Sequence, residues 1–408
     1  MLASVALLFN NITGAAMVEM PVLFQQAGWL TYVALSLSLS LDGARSLSMG
    51  LSYGRPTLAM LFILLVSSYA STMLVEAMAS IPGNEHLENR VELSGLAKYW
   101  FAPWAYWSTQ VLLNLSLLAL NVSNIIVSAQ TMDFTLVALF DYSCAIELLP
   151  HPGFVHVSEA GSSISPFSGI VVSLGFVIVL LLTIPMGYFN LDDNMWLQQG
   201  AFVLTLAIVL QWLCEFVYFG LDTAHVPLLG ADQSQVLGTT IFNYAYVITV
   251  PSWINELEGG VSVHKSIWIG SLLATFVYVL LGYVGGRALV FTADQTLLDA
   301  LDAATHGTLH VATQITTYSF PFIAFLSSIP VYSIVVRYNL LESNFCSKGW
   351  ANFWGVCFPW LLSIPVRLCY KLPHSLTPSI PQSRSLLTLR ERARDMTSSV
   401  PVPDSRRF

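Results

Sequence analysis

Charge is what this sequence has least of. Lys and Arg together number 16 and Asp and Glu 24, so 10% of the 408 residues are charged while 55% are hydrophobic. Soluble domains carry about 25% charged residues, so a soluble enzyme is excluded. The net charge of -8 comes with no basic stripe, which removes nucleic acid as a partner. Cysteine is scarce as well: Cys144, Cys214, Cys346, Cys357 and Cys369 show no paired spacing, so neither a disulfide framework nor a zinc site is indicated. The apolar runs hold no cluster of His, Asp or Glu, so neither an embedded enzyme nor a cofactor is expected. His306 and His310 are four apart, but Gly307 intervenes and no acidic partner completes a metal set. A basic segment is missing before the apolar residues 1–9, and an amide-rich stretch follows them, so they are expected to be retained rather than cleaved as a signal peptide.

What is present is a series of apolar runs long enough to cross a bilayer. The candidate spans are 2–24, 57–80, 101–130, 166–188, 196–219, 236–257, 267–284, 315–336 and 351–366, with no room between them for a soluble domain. This predicts an all-α, polytopic membrane protein. Placing the N-terminus in the cytoplasm puts Arg90, Lys98, Lys265, Arg337 and Lys348 inside, and it puts the segments 131–165 and 221–235, which lack Lys and Arg, outside. That is the positive-inside pattern, with Arg287 as its exception. Two segments fit badly. Residues 31–55 contain a strict Leu/Ser alternation followed by Asp42, Arg45 and Arg55, and read as a non-spanning insertion. Residues 367–408 hold half of all the basic residues and read as a basic tail after the membrane domain 1–366.

The first span is interrupted. Asn10-Asn11-Ile12-Thr13-Gly14-Ala15-Ala16 places two amides, a hydroxyl and a glycine where a helix would otherwise continue. Freed backbone N–H and C=O groups are costly in lipid, and survive where they line a cavity, as in the discontinuous helices of secondary transporters. The bland alternative is a glycine kink satisfied by neighbouring helices. The sixth span carries a similar mid-span stretch, Asn243-Tyr244-Ala245-Tyr246 leading to Pro251, whose aromatics could instead be interfacial. Glu19 and Glu215 are the intramembrane carboxylates, and such groups are functional candidates by default. Asn114 and Asn121 share a helix face and read as packing glue, and Asp192-Asp193 as a cap on the fifth helix.

The run from Asn10-Asn11-Ile12-Thr13-Gly14-Ala15 through Pro21 to Gln25-Gln26-Ala27-Gly28 resembles the first helix of the amino acid/auxin permease family. Further matches are similar to its fungal branch: Glu76-Ala77-Met78, Ile81-Pro82-Gly83-Asn84, Ile126-Val127-Ser128-Ala129-Gln130, Phe242-Asn243-Tyr244-Ala245-Tyr246, Ser328-Ile329-Pro330 and Arg337-Tyr338-Asn339. The resemblance implies a LeuT-like inverted-repeat helix bundle, here with the second repeat incomplete after nine helices, and with residues 31–55 foreign to the family pattern. It departs from the family at Ala16 and Glu19, where many relatives have glycine.

The resemblance also implies a function: amino-acid transport by alternating access in a multi-pass protein of the plasma membrane or a vacuolar or endosomal membrane. The rival is a non-transporting amino-acid sensor or an inactive truncated permease. An amino-acid substrate would meet Asn11, Thr13, Gly14 and Ala15 at the first break and Asn243, Tyr244 and Tyr246 at the second. Its carboxylate would take N–H donors from the half-helix expected to start near Ala15, and its ammonium would take carbonyl oxygens. By the same match, Asn10 corresponds to the family's sodium-site asparagine, and Ser327 and Ser328 could add hydroxyls; interhelical hydrogen bonding is the alternative. Glu19 could carry a proton, or lie high enough to face an outer vestibule. Coupling to a proton is favoured over sodium because the likeness is to the fungal branch.

Overall fold

In lipid a chain must satisfy its own backbone hydrogen bonds, so long apolar runs become helices. The computed structural model describes residues 1–28, 56–140, 142–149, 152–157, 167, 170–227, 230, 232, 234–257, 260–291, 295–304, 311–343 and 346–369. The 31–55 insertion and the tail from 370 onward lie outside the described residues. The chain begins with α1 (Leu2–Thr13), a 3-10 turn (Ala15–Glu19) and α2 (Met20–Ala27). Then come α3 (Pro56–Ala79), α4 (Leu93–Trp100), α5 (Pro103–Phe140), β1 (Ser143–Leu149), β2 (Gly153–Val157), β3 (Ile170–Ser173), α6 (Leu174–Gly187) and α7 (Met195–Phe219). A second interrupted helix follows: α8 (Val236–Asn243), a 3-10 turn (Ala245–Thr249) and α9 (Val250–Ile254). The remainder is α10 (Val263–Ala288), α11 (Leu297–Ala304), α12 (Val311–Glu342), α13 (Lys348–Asn352), a π turn (Phe353–Cys357) and α14 (Phe358–Cys369).

Among the described residues, α3, α5, α7, α10 and α12 are long and apolar enough to cross a membrane, and the pair α1 and α2, bent by 52°, makes a sixth such span. Their outer faces carry exposed Phe62, Leu65, Leu112, Leu115, Leu210 and Val217, as a surface solvated by lipid would. The protein is therefore an integral multi-pass membrane protein. Met1–Ile364 forms one compact unit; of the second, Pro365–Phe408, only 365–369 are described.

The core centres on α1. Leu7, Leu8, Phe9 and Ile12 are buried against α10 and α7, with Phe9 edge-on to Phe202 at 5.0 Å. Close approach is permitted by Gly282 of α10, where a Cβ would lie 2.6 Å from the Phe24 ring. Small residues serve this purpose wherever membrane helices pack tightly. Arg337 of α12 is buried and donates to the carbonyls of Gly187 (3.2 Å), Tyr188 (2.8 Å) and Phe189 (2.6 Å), capping the C-terminal end of α6 with a cation.

Several local expectations are corrected. The third span does not end at Gln130 but continues to Phe140, because Asp133 is buried and accepts from Gly175 N (2.9 Å) and Ser143 Oγ (3.2 Å) instead of meeting water. Beyond it lies a three-stranded antiparallel sheet in the order β2-β1-β3, with Ala145 opposite both Val155 and Ser173. Asn121 does bridge helices, donating to Ser333 Oγ at 3.0 Å, whereas Asn114 donates to Gln110 O of its own helix. The N-cap of α7 is Asn194, while Asp193 accepts from Asn190 N at 3.2 Å in the turn before it.

Candidate functional site

The two interrupted helices share a backbone plan. At the first break α1 ends at Thr13, Gly14 takes φ -21 and ψ -142, and five residues of 3-10 turn lead into α2, which has Pro21 in its first turn. At the second, α8 ends at Asn243, Tyr244 turns the chain, and five residues of 3-10 turn lead into α9 with Pro251 in its first turn. Proline suits that position because the N–H it lacks would have no intrahelical partner there. Neither 3-10 turn has a side-chain cap at its start. The second half-helix therefore begins at Met20, not near Ala15: the tighter turn occupies Ala15–Glu19.

Side chains from α3 and α10 pin both breaks. Tyr278 donates its hydroxyl to Ile12 O, one residue before α1 ends. Tyr244 OH pairs with Thr275 Oγ1, and Tyr246 OH lies 3.3 Å from Ser68 Oγ, which in turn contacts Ser271 Oγ at 2.9 Å. Tyr244 and Tyr246 are only 2% and 1% exposed, so both rings lie inside the bundle and not at a membrane interface. A longer contact, Asn11 Nδ2 to Thr249 Oγ1 at 3.4 Å, joins the two breaks directly.

Asn10 turns the other way, toward α7. Its Nδ2 donates to Gln198 O (2.8 Å) and Gln198 Oε1 (2.9 Å), and Gln198 Nε2 donates to Ser327 O (2.7 Å). Ser327 Oγ is spent on Ala324 O of its own helix. Between these groups runs a narrow crevice lined by Asn10, Thr13, Gly14, Thr205, Phe320, Ala324 and Ser327. A Cβ placed on Gly14 would meet Asn10 O at 4.0 Å, an ordinary van der Waals contact and not a clash. Three further atoms are buried with no hydrogen-bond partner: Asn11 Oδ1, Asn243 Nδ2 and Ser328 Oγ.

The structure thus gathers Asn10, Thr13, Gly14 and Ser327 around one crevice, with Asn11 and Ser328 next to them in sequence. Asn243, Tyr244 and Tyr246 do not line that crevice. Glu19 is exposed although Met17, Val18 and Met20 beside it are buried, and it lies within electrostatic reach of the buried Tyr278. Sequence reading missed Gln198, Thr205, Phe320 and Ala324. A signal for the first two was available: Gln198, Thr205 and Trp212 recur every seven residues along the buried face of α7. Among the described residues no group of three or more His, Cys, Asp or Glu could hold a metal ion.

No family model matches the sequence, and no curated protein matches it. Among solved structures the chain is similar to Mhp1, a nucleobase-cation-symport-1 family transporter in a closed conformation with bromovinylhydantoin bound. The likeness has a TM-score of 0.53 at 13% identity, and covers 90% of this chain and 70% of that one. It is a likeness of fold. The chain is a polytopic helical membrane protein of LeuT-like transporter fold, and the comparison does not extend to the amino acid/auxin permease family.

Proposed function

We propose that the protein is a secondary active transporter that moves amino acids across a membrane by alternating access, coupled to protons. One observation carries this reading: at each of two mid-span breaks sits a buried polar atom that no protein group satisfies. Leaving such an atom unpaired costs about 1–3 kcal/mol, and groups of this kind call for an explanation. The two are complementary in character. Asn11 Oδ1 can only accept, which suits an ammonium, and Asn243 Nδ2 can only donate, which suits a carboxylate. A zwitterion brings both. Gly14 adds an open stretch of backbone, and Thr205, Phe320 and Ala324 offer a wall for a side chain.

The crevice is too narrow to hold even a water molecule, far below ordinary small-molecule pockets. A ligand enters only if the first break and α12 separate, which is the movement alternating access supplies. Coupling to protons is supported by Gln198. Asn10, which the resemblance matches to a sodium-site asparagine, is engaged with Gln198, and the Ser327 hydroxyl is spent on Ala324 O. Glu19, in the 3-10 turn just past the first break, is the carboxylate we assign to carry that proton.

The test is counterflow in proteoliposomes: vesicles preloaded with unlabelled amino acids should accumulate labelled amino acid, and an inward proton gradient, not a sodium gradient, should drive net uptake. Counterflow of nucleobases or hydantoins in place of amino acids would overturn the substrate reading. Thermal stabilisation by an amino acid without any counterflow would mark a binding-only sensor instead.

A further inference from the structure

A second polar cluster lies at the end of α5 opposite the sheet, and none of the site residues above belongs to it. The segment leading into α4 is held there between two asparagines. On one side Asn255, just past α9, accepts from Val91 N (3.0 Å) and donates to Val91 O (3.3 Å). On the other side Asn339 of α12 accepts from Ser94 N (3.1 Å), and its carbonyl accepts from Ser94 Oγ (3.2 Å). Glu342 adds a carboxylate oxygen 2.6 Å from Glu92 N. The start of α4 is thus docked on α12, where the N–H groups of a helix terminus find acceptors.

At the centre is the side chain of Glu92, 5% exposed. Its Oε1 accepts from Asn255 Nδ2 at 2.8 Å. Its Oε2 accepts from Ser252 Oγ on α9 and from Asn339 Nδ2 at 3.5 Å. One carboxyl therefore ties the second broken helix to α12. The titratable groups around it are Glu256 after α9, Glu342 and Tyr338 on α12, and Arg90 in its own loop. Arg90 pairs with Glu256 at 3.3 Å, and Tyr338 OH donates to the same carboxylate at 3.3 Å. Among the described residues no cation pairs with Glu92. Burial, followed by repulsion from Glu342 and Glu256, outweighs the hydrogen bonds from Ser252 and Asn255 and pushes the Glu92 carboxyl up to about 7.

We infer that Glu92 is a proton-binding site, protonated while this end of the bundle is closed and deprotonated as the end opens to water. The neutral acid meets no penalty from burial or from its two acidic neighbours. The carboxylate would be buried beside both, so ionisation favours the arrangement in which water reaches it. The sign follows from linkage. A carboxyl raised in the closed arrangement stabilises that arrangement fully below its ordinary value of 4.5, and the stabilisation is lost as pH rises through about 7. The site rests on the transporter reading for its purpose, a proton released on one side, but not for its chemistry.

Hydrogen–deuterium exchange of the full-length protein in detergent, from about pH 5.5 to about pH 8.5, tests it. Rates are corrected for intrinsic base catalysis against amides of α6. In the wild type, protection across residues 91–96 and 250–257 should fall by up to about tenfold per pH unit as pH rises toward about 7, and level off above it. In Glu92→Gln, which keeps the shape and cannot ionise, the corrected profile should stay flat. A flat wild-type profile overturns the site, as does the same fall in Glu92→Gln; the wild-type arm stands alone if the variant does not fold. Uptake is not the readout, so the two failures separate. A titrating latch in a protein that carries no amino acid sinks only the transport reading, and a flat profile in a working transporter sinks only Glu92.

Discussion

The break at Gly14 and the break at Tyr244 have one backbone plan and different surroundings. Each runs from helix through five residues of 3-10 turn to a half-helix with proline in its first turn. Beside Gly14 runs a narrow crevice. Beside the second break the rings of Tyr244 and Tyr246 are buried and their hydroxyls are taken by Thr275 and Ser68. A glycine and a tyrosine at equivalent points of a repeated motif divide the labour: the first break presents bare backbone, and the second packs aromatic rings around an unpaired Asn243 Nδ2. Breaking the backbone hydrogen-bond ladder is costly in a membrane either way; at the first break a crevice runs alongside.

Filling that crevice should have the largest effect. Gly14→Leu puts a side chain into the crevice from a position where a Cβ touches only Asn10 O, at 4.0 Å, so the variant should fold and reach the membrane yet lose uptake, and Gly14→Ala should raise KM on the order of tenfold. The matched control is Gly200→Ala on α7, where a Cβ meets nothing within 4 Å and which does not line the crevice. Gly175 would be a poor control, since a Cβ there comes within 2.6 Å of Asp133 Oδ1 and 2.7 Å of Asp133 N. Normal transport by Gly14→Leu would mean that the ligand binds elsewhere.

Next in size is Glu19→Gln. If Glu19 carries the coupling proton, this variant should lose gradient-driven accumulation while keeping amino-acid exchange, measured as counterflow without a gradient. Accumulation at wild-type level would remove Glu19 from coupling.

A smaller contrast compares the tyrosines that pin the two breaks. Tyr278→Phe deprives Ile12 O of its donor at the first break. An orphaned acceptor should lower stability by about 1–3 kcal/mol. Tyr246→Phe at the second leaves Ser68 still paired with Ser271, and should cost under about 1 kcal/mol. Thermal unfolding of the two variants side by side reads the difference, and equal losses would show that the first break is no more dependent on its pin than the second.

Both breaks were legible in the sequence because a break is local: Asn10-Asn11-Ile12-Thr13-Gly14 and Asn243-Tyr244 through Pro251 interrupt apolar runs visibly. The partners were not. Gln198 meets Asn10 from 188 positions away, and nothing in either run fixes that register. Asp133 looked like the end of a span because a carboxylate normally seeks water; here a backbone N–H and a serine hydroxyl satisfy it inside. Glu92 stands in a charged loop, where its burial depends on Ser252, Asn255 and Asn339 arriving from two other helices. Residues that break a helix announce themselves, whereas residues that complete a site are recognised only from the surfaces they meet.

The smallest expected effect sits on the contact that joins the breaks. Asn11 Nδ2 reaches Thr249 Oγ1 at 3.4 Å, long for a hydrogen bond, while Thr249 Oγ1 also donates to Tyr246 O at 2.7 Å. Thr249→Val removes both at nearly constant volume. The amide nitrogen of Asn11 loses a weak acceptor, but Oδ1, the end proposed to meet an ammonium, is left as it was. KM should therefore stay within about threefold of wild type and stability within about 1.5 kcal/mol, with Thr249→Ser nearer still. Measured beside Gly14→Ala, the variant decides how separate the two breaks are. Should Thr249→Val raise KM as far as Gly14→Ala does, the contact between the breaks, and not only the polar atoms at each, holds the substrate.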